Sequence, residues 1–210
     1  MSRRLFFERL AAAGARRWPE ATARLLLLTG QSRLARSPLS EAQSVFVRHV
    51  APEGVEAVGR GFPWDGEGGA EPPPGLLSAS PVNARQHLWA VTERRYAALS
   101  AAALQRVADS TRERLVVLTG SNGLATLQAA WPALRIPGGL RLVVVAVGPA
   151  GAPADFGPDT AVLVVRGRAD GWSRALYRGP VHQRPPCGHL GYWNDGETRE
   201  GVRNWLRAVA

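Results

Sequence analysis

Lysine, cysteine and long apolar segments are absent or scarce in this chain of 210 residues. All 26 basic residues are arginine, which excludes both the lysine of a phosphate-binding P-loop and the Tyr-Lys pair of a short-chain dehydrogenase. The single cysteine, Cys187, excludes an intrachain disulfide and suits a reducing cytoplasm. No segment reaches the roughly 20 apolar residues of a membrane-spanning helix, and Glu8 and Arg9 interrupt the signal-like start of the chain. We therefore expect a cytoplasmic protein without stable membrane insertion.

The net charge is +9, which at first suggests a nucleic acid or another anionic surface as partner. The arginines are scattered rather than clustered, and alanine, glycine and proline are abundant, a bias typical of genome-wide codon usage. We therefore interpret the charge as a solvated basic surface and expect no nucleic-acid partner. The basic helix predicted over residues 3–17 has apolar residues on one side, and we expect it to pack on the domain rather than on a membrane surface.

Length and a hydrophobic content of 45% fit one globular domain spanning residues 1–210, with residues 1–20 as an N-terminal helical extension. Short apolar runs alternate with segments of helical periodicity. Strands are predicted at 25–28, 55–58, 115–118, 140–147, 160–165 and 181–183, and the shorter helices at 42–50, 124–134, 172–177 and 197–209. The strand runs are continuously apolar, which is typical of strands buried on both faces. The fold class predicted is therefore α/β, a mostly parallel sheet of about six strands with helices on both faces.

The region between the second and third predicted strands combines a loop and a long helix. Residues 65–81 are rich in glycine, proline, glutamate and serine, which predicts a flexible loop. Asn83 is expected to cap a helix over 84–112, with Leu88 and Val91 on its core face. A break in that helix near Ser100 is an alternative.

A serine stands in the sharp turn that follows the most apolar strand. The turn Thr119-Gly120-Ser121-Asn122-Gly123 lies between that strand and a helix, the arrangement that exposes a nucleophile above a parallel sheet. Taken alone, Ser121 is better explained as a turn residue or helix cap. The turn also resembles a dinucleotide-binding glycine turn, but Thr126 occupies the third glycine position and the turn comes in mid-chain.

Two further polar residues follow later predicted strands, Asp170 and then His189. Because the carboxyl ends of parallel strands meet at one edge of the sheet, we expect both near Ser121. Their plainer interpretations are a helix cap for Asp170 and a surface or packing histidine for His189. His182 is the reserve candidate for the base, and Cys187 is interpreted as a small buried residue.

The chain resembles the α/β-hydrolase superfamily over roughly residues 22–209. The turn around Ser121 is similar to the nucleophile elbow, with Thr119 in place of the first glycine. Gly167 precedes Asp170 by three residues, and Gly188 precedes His189, as is common in that family. Four local matches carry the resemblance: 119–123, 162–170, 188–189 and 28–31, the last being similar to the early oxyanion turn with Thr29 in place of histidine.

The resemblance implies a minimal, lidless serine esterase without a metal or a cofactor. His189 would accept the proton of Ser121, and Asp170 would orient the imidazole. The backbone N–H groups of Asn122 and Gln31 would form the oxyanion hole. The partner implied is a small-molecule ester or thioester with a short to medium acyl group.

Four aromatic residues near the predicted site are candidates for a substrate pocket or, equally, for core packing: Trp64, Trp172, Tyr192 and Trp193. The interval between Asp170 and His189 is short for the family and leaves little room for a helix. A catalytically inactive hydrolase-like protein that acts by binding is the alternative to the enzyme.

Overall fold

The computed structural model describes residues 3–30, 38–64 and 76–209, with backbone alone over 76–81. The helices are α1 Arg3–Ala15, α2 Glu41–Val50, α3 Leu76–Thr92, α4 Arg94–Asp109, α5 Gly123–Ala130, α6 Gly171–Leu176 and α7 Gly196–Ala208. The strands are β1 Ala21–Thr29, β2 Glu56–Gly61, β3 Thr111–Gly120, β4 Arg141–Val147 and β5 Ala161–Val165. None of the helices in these ranges is long and apolar enough to cross a membrane.

The strands form one parallel sheet in the order β2-β1-β3-β4-β5, which confirms the predicted α/β class. The chain runs outward from β1 to β2 and then returns to the other side of β1 with β3. The register aligns Thr29 with Gly120, and Gly120 with Val147, so three strands end level with one another. In open sheets of this kind, the crevice where the strand order reverses is where ligands bind. That crevice lies at the ends of β1 and β3.

The sheet is covered on both faces because alternate residues of the apolar strands enter different cores. Leu26, Leu28 and Val117 belong to a cluster that α1, α4 and α5 complete. Leu25, Leu27 and Val116 point the other way, into a cluster completed by α2 and α7. Burial on both sides explains why the strand runs are continuously apolar rather than alternating.

The N-terminal helix packs on the domain, as predicted. Phe6, Phe7 and Leu10 of α1 are buried, and the two phenylalanine rings contact Trp89 and Tyr96. Aromatic contacts of this kind add to the stabilisation that burial of the rings provides. The apolar side of this helix is therefore occupied within the chain.

The region before β3 differs from the sequence prediction. Helix α3 already begins at Leu76, inside the segment predicted as a loop, so Asn83 lies in a helix instead of capping one. The long helix predicted over 84–112 is two helices, which break at Glu93. Leu88 and Val91 are 58% and 68% exposed and are not core residues. Helical spacing alone did not show that the side of α3 that carries Leu88 and Val91 faces solvent.

The sixth strand predicted at 181–183 is reduced to one bridge between Val165 and Gln183. The chain beyond it nevertheless follows the end of β5. The backbone N–H groups of Arg166, Arg168 and Ala169 donate to the carbonyl oxygens of Gln183, Pro185 and Cys187, respectively. This irregular pairing takes the place of a strand because two prolines precede Cys187, and proline has no N–H to donate.

Helix α2 offers a test of the local signals that define the fold. Ser40 forms a complete capping box with Gln43. Replacing Ser40 by alanine removes an acceptor from the first turn, and we expect a loss of about 1 kcal/mol in the free energy of unfolding. Ser44→Ala, inside the same helix, should change it by less than about 0.5 kcal/mol. Urea unfolding of both variants measures the difference, and equal losses would contradict the capping role.

Candidate functional site

Ser121 stands at the end of β3 in a backbone conformation that serine rarely adopts. Its φ is +49°, in the left-handed region. Such a residue costs about 1–3 kcal/mol and persists only where its surroundings enforce it. Here the N–H of Ser121 donates to the carbonyl of Val147 at 3.2 Å, and its own carbonyl accepts from the N–H of Ala150 at 3.1 Å. The end of β4 therefore holds the turn in place.

Glycines on either side of Ser121 allow this turn to pack closely. A Cβ atom at Gly123 would lie 1.8 Å from the carbonyl oxygen of Leu28, so the start of α5 contacts the backbone of β1 directly. A Cβ atom at Gly120 would lie 2.8 Å from the ring of Trp193. Thr119, which departs from the family pattern, is fully buried, and its hydroxyl lies 3.4 Å from the carbonyl oxygen of Val145. The larger residue is tolerated because its polar atom has a partner.

The structure brings Ser121, His189 and Asp170 into one hydrogen-bonded row. His189 Nε2 lies 3.2 Å from Ser121 Oγ. On the other side of the ring, His189 Nδ1 lies 2.9 Å and 3.1 Å from the two carboxylate oxygens of Asp170. With the proton on Nδ1, the imidazole donates to the carboxylate and leaves Nε2 to accept from the serine hydroxyl. The row has the geometry needed to activate a nucleophile.

Asp170 is fully buried and is surrounded by hydrogen-bond donors. Besides His189, the hydroxyl of Tyr192 donates to Oδ2 at 2.6 Å and the N–H of Ser173 donates to Oδ1 at 2.9 Å. Burial alone would raise the pKa of this carboxyl, but the hydrogen bonds from His189, Tyr192 and Ser173 outweigh it and lower the pKa. Asp170 also caps α6 by accepting from the N–H of Ser173, as its plainer interpretation predicts.

The short interval between Asp170 and His189 is closed by the irregular pairing after β5. A Cβ atom at Gly167 would lie 2.1 Å from the carbonyl oxygen of Cys187, so only glycine allows this approach. The N–H of Ala169 reaches the same oxygen at 3.2 Å. Because residues 166–169 and 183–187 run side by side, Asp170 and His189, which follow them, lie next to each other. No intervening helix of full length is needed.

Two of the four candidate pocket residues, Trp64 and Tyr192, are buried core residues. Trp64 is 1% exposed in the core and donates its ring N–H to the carbonyl of Leu27. Tyr192 is 2% exposed and faces Asp170 rather than a pocket. Trp172 is 62% exposed on α6. Trp193 is half-buried, between Gly120 and the ring of Phe46.

Of the predicted oxyanion donors, Asn122 lies directly after Ser121, and Gln31 lies outside the described residues. In the part of the chain that the structure describes, no acceptor is hydrogen-bonded to the backbone N–H of Asn122. Its buried side chain accepts from His87 Nδ1 of α3 at 2.9 Å. The sequence pattern gave no reason to select His87, because a histidine inside a helix has no local signal that points to another element.

The other candidates lie apart from the row. His182 Nδ1 accepts from the backbone N–H of Val164 at 2.9 Å, beside β5. Cys187 is half-buried rather than buried, and burial raises the pKa of its thiol. Within the described ranges, no group of three or more His, Cys, Asp and Glu side chains is arranged to hold a metal ion.

Comparison with known proteins adds two solved structures. A carboxylesterase from Mesorhizobium loti shares 18% identity with this chain at a TM-score of 0.41, covering 93% of this chain and 91% of that one. TT1662 from Thermus thermophilus shares 18% identity at a TM-score of 0.47, covering 90% of each chain. No family model matches the sequence, and no curated protein matches it significantly. Because the likenesses are this distant, the side chains of the site must support any functional proposal.

The close approach of α5 to β1 is testable at Gly123. In Gly123→Ala the new methyl group collides with the Leu28 carbonyl, so we expect a loss of about 1–3 kcal/mol in the free energy of unfolding. Gly196→Ala is the matched control, because a Cβ atom there meets nothing within 4 Å at the first residue of α7. Chemical denaturation of both variants measures this, and a Gly123→Ala protein as stable as the control would contradict the contact.

Proposed function

We propose that this chain is a serine hydrolase of the α/β-hydrolase type that cleaves small to medium carboxylic esters or thioesters through an acyl-serine intermediate. The observation that carries the proposal is the row Ser121–His189–Asp170, with the serine on a strained turn between strand and helix. A buried aspartate at one end and a partly accessible serine at the other suit a site that takes its substrate from solvent. We likewise propose a small acyl compound, rather than a nucleic acid, as the partner.

Acylation begins when Ser121 Oγ attacks the carbonyl carbon of the ester. As the O–C bond forms, His189 Nε2 takes the hydroxyl proton and becomes an imidazolium. Asp170 remains ionised and stabilises that positive charge through the Nδ1–H hydrogen bond. His189 then returns the proton to the leaving alkoxide or thiolate, which departs as the alcohol or thiol.

The negative oxygen of the tetrahedral intermediate needs donors that are already in place. The backbone N–H of Asn122 lies at the N-terminus of α5, whose partial positive charge favours an anion. The hydrogen bond from His87 fixes the Asn122 side chain and thereby restricts the conformation of this residue. The resemblance assigns the second donor to Gln31. In the second half-reaction, water attacks the acyl-serine with His189 as base, which releases the carboxylic acid and restores Ser121.

The nucleophile is tested by labelling with a fluorophosphonate probe, which reacts with activated serines. We expect wild type to label, Ser121→Ala not to label, and His189→Gln to label at least about 100-fold more slowly because it lacks the base. Ser44→Ala, on α2, is the control and should label like wild type.

A well-folded wild type that never labels would reject the enzyme and favour the hydrolase-like binding protein. Labelling that survives in Ser121→Ala would reject the nucleophile while leaving a hydrolase possible at another residue. Circular dichroism of each variant separates loss of chemistry from loss of fold.

Substrate size is tested with p-nitrophenyl esters of increasing acyl length. The expected optimum lies at short to medium chains, because few large apolar side chains are exposed in the part of the chain that the structure describes, Trp172 and Leu190 among them. The ratio kcat/KM should rise over the first few carbons and then decline. A continued increase to long-chain lipid esters would contradict this.

A further inference from the structure

We propose that Tyr192 is a positioning residue of the hydrolytic site, which fixes the orientation of Asp170 and tempers its negative charge through one hydroxyl group. This inference rests on the function proposed above. Tyr192 is buried and belongs to the apolar cluster between the sheet and α7. Its hydroxyl leaves that cluster to contact the carboxylate that holds His189.

The hydrogen bonds determine where the hydroxyl proton lies. The backbone N–H of Gly167 donates to the Tyr192 oxygen at 2.7 Å. The ionised carboxylate of Asp170 can only accept, so the phenolic proton points at Oδ2 over 2.6 Å. Burial, and the nearby carboxylate with it, raise the pKa of Tyr192 and keep the phenol protonated. Both hydrogen bonds therefore donate in the same direction, from Gly167 to Tyr192 and from Tyr192 to Asp170.

The carboxylate of Asp170 is held at both oxygens by groups that do not react. The N–H of Ser173 holds Oδ1, and the hydroxyl of Tyr192 holds Oδ2. Rotation of the carboxylate about the Cβ–Cγ bond would break one of these two hydrogen bonds. His189 Nδ1 lies close to both oxygens, so a fixed carboxylate plane also fixes the imidazole that faces Ser121.

The backbone around Tyr192 leaves little room for another arrangement. Gly148, at the end of β4, has φ +53°, and a Cβ atom there would lie 2.5 Å from the Tyr192 ring and 3.1 Å from Asp170 Oδ2. The glycine thus makes space for ring and carboxylate together. Packing of the ring alone would be served equally by phenylalanine, which makes the hydroxyl the group to test.

The test compares Tyr192→Phe with Tyr177→Phe. Tyr177 is also fully buried, and its hydroxyl also joins a backbone N–H, of Ala154, to an acceptor, the carbonyl of Pro180. Both variants keep the ring and lose one buried hydroxyl, so both should lose stability. Only Tyr192→Phe should lower kcat for a short p-nitrophenyl ester, by about 10- to 100-fold with KM little changed, because the catalytic row loses alignment.

The pH dependence of kcat/KM shows whether Tyr192 modulates the charge of Asp170 or only packs in the core. Without the hydroxyl, more of the Asp170 charge faces the His189 ring and stabilises the imidazolium that forms during the reaction. The acid limb of kcat/KM in Tyr192→Phe should therefore move to higher pH, whereas in Tyr177→Phe it should not. An unmoved limb with wild-type kcat would overturn the proposal.

Coupling to Asp170 is measured by a double-mutant cycle. If Tyr192 acts through the carboxylate, Tyr192→Phe should lower activity far less in an Asp170→Asn background than in wild type. An undiminished loss in that background would overturn the proposal. Ester hydrolysis that persists unchanged in Ser121→Ala would instead reject Ser121 as the nucleophile of the proposed function, whatever Tyr192 does.

If Tyr192→Phe does not fold, NMR on the wild-type protein tests the proposal instead. In wild-type protein, the hydroxyl proton of Tyr192 should give a slowly exchanging NMR resonance. Blocking Ser121 with a fluorophosphonate places a phosphonyl group next to His189 Nε2 and should shift this resonance through Asp170, while the Tyr177 hydroxyl should not respond. A Tyr192 resonance that ignores the block would overturn the proposal.

Discussion

A buried, ionised carboxylate is the constraint on which the site depends. A charge removed from water is unstable unless hydrogen bonds and opposite charge surround it. Asp170 meets this requirement with three donors from two segments: the ring of His189 and the hydroxyl of Tyr192 in the turn before α7, and the N–H of Ser173 in the first turn of α6. The turn before α7 and the start of α6 are therefore both fixed by one side chain.

The second constraint is steric and acts on the backbone. Ser121 keeps its left-handed conformation because α5 approaches β1 without an intervening side chain, and because the end of β4 bonds to both sides of the serine peptide. The strain is thus balanced by contacts with β1 and with the end of β4, the two strands beside β3. A serine held this way has little conformational freedom, which would lower the entropy cost of reaching a reactive geometry.

Much of this arrangement was predictable from local patterns. The continuous apolar runs identified the parallel strands, and the turn at Ser121 together with the later positions of Asp170 and His189 was sufficient to expect the row. What the sequence could not show depended on tertiary contacts. The burial of Trp64, the turn of Tyr192 toward Asp170 and the contact of His87 with Asn122 join elements far apart in sequence. The outward side of α3 has the spacing of a core face, and only its neighbours decide which side is buried.

The irregular pairing beyond β5 has a consequence for how this site can vary. Residues 183–187 are joined to 166–169 by backbone hydrogen bonds, to which the side chains of Gln183 and Cys187 add contacts with α7. Replacing a side chain there leaves the backbone hydrogen bonds available, whereas inserting or deleting one residue would shift their register and turn His189 away from Asp170. We therefore expect the length of this stretch to be constrained more tightly than its composition.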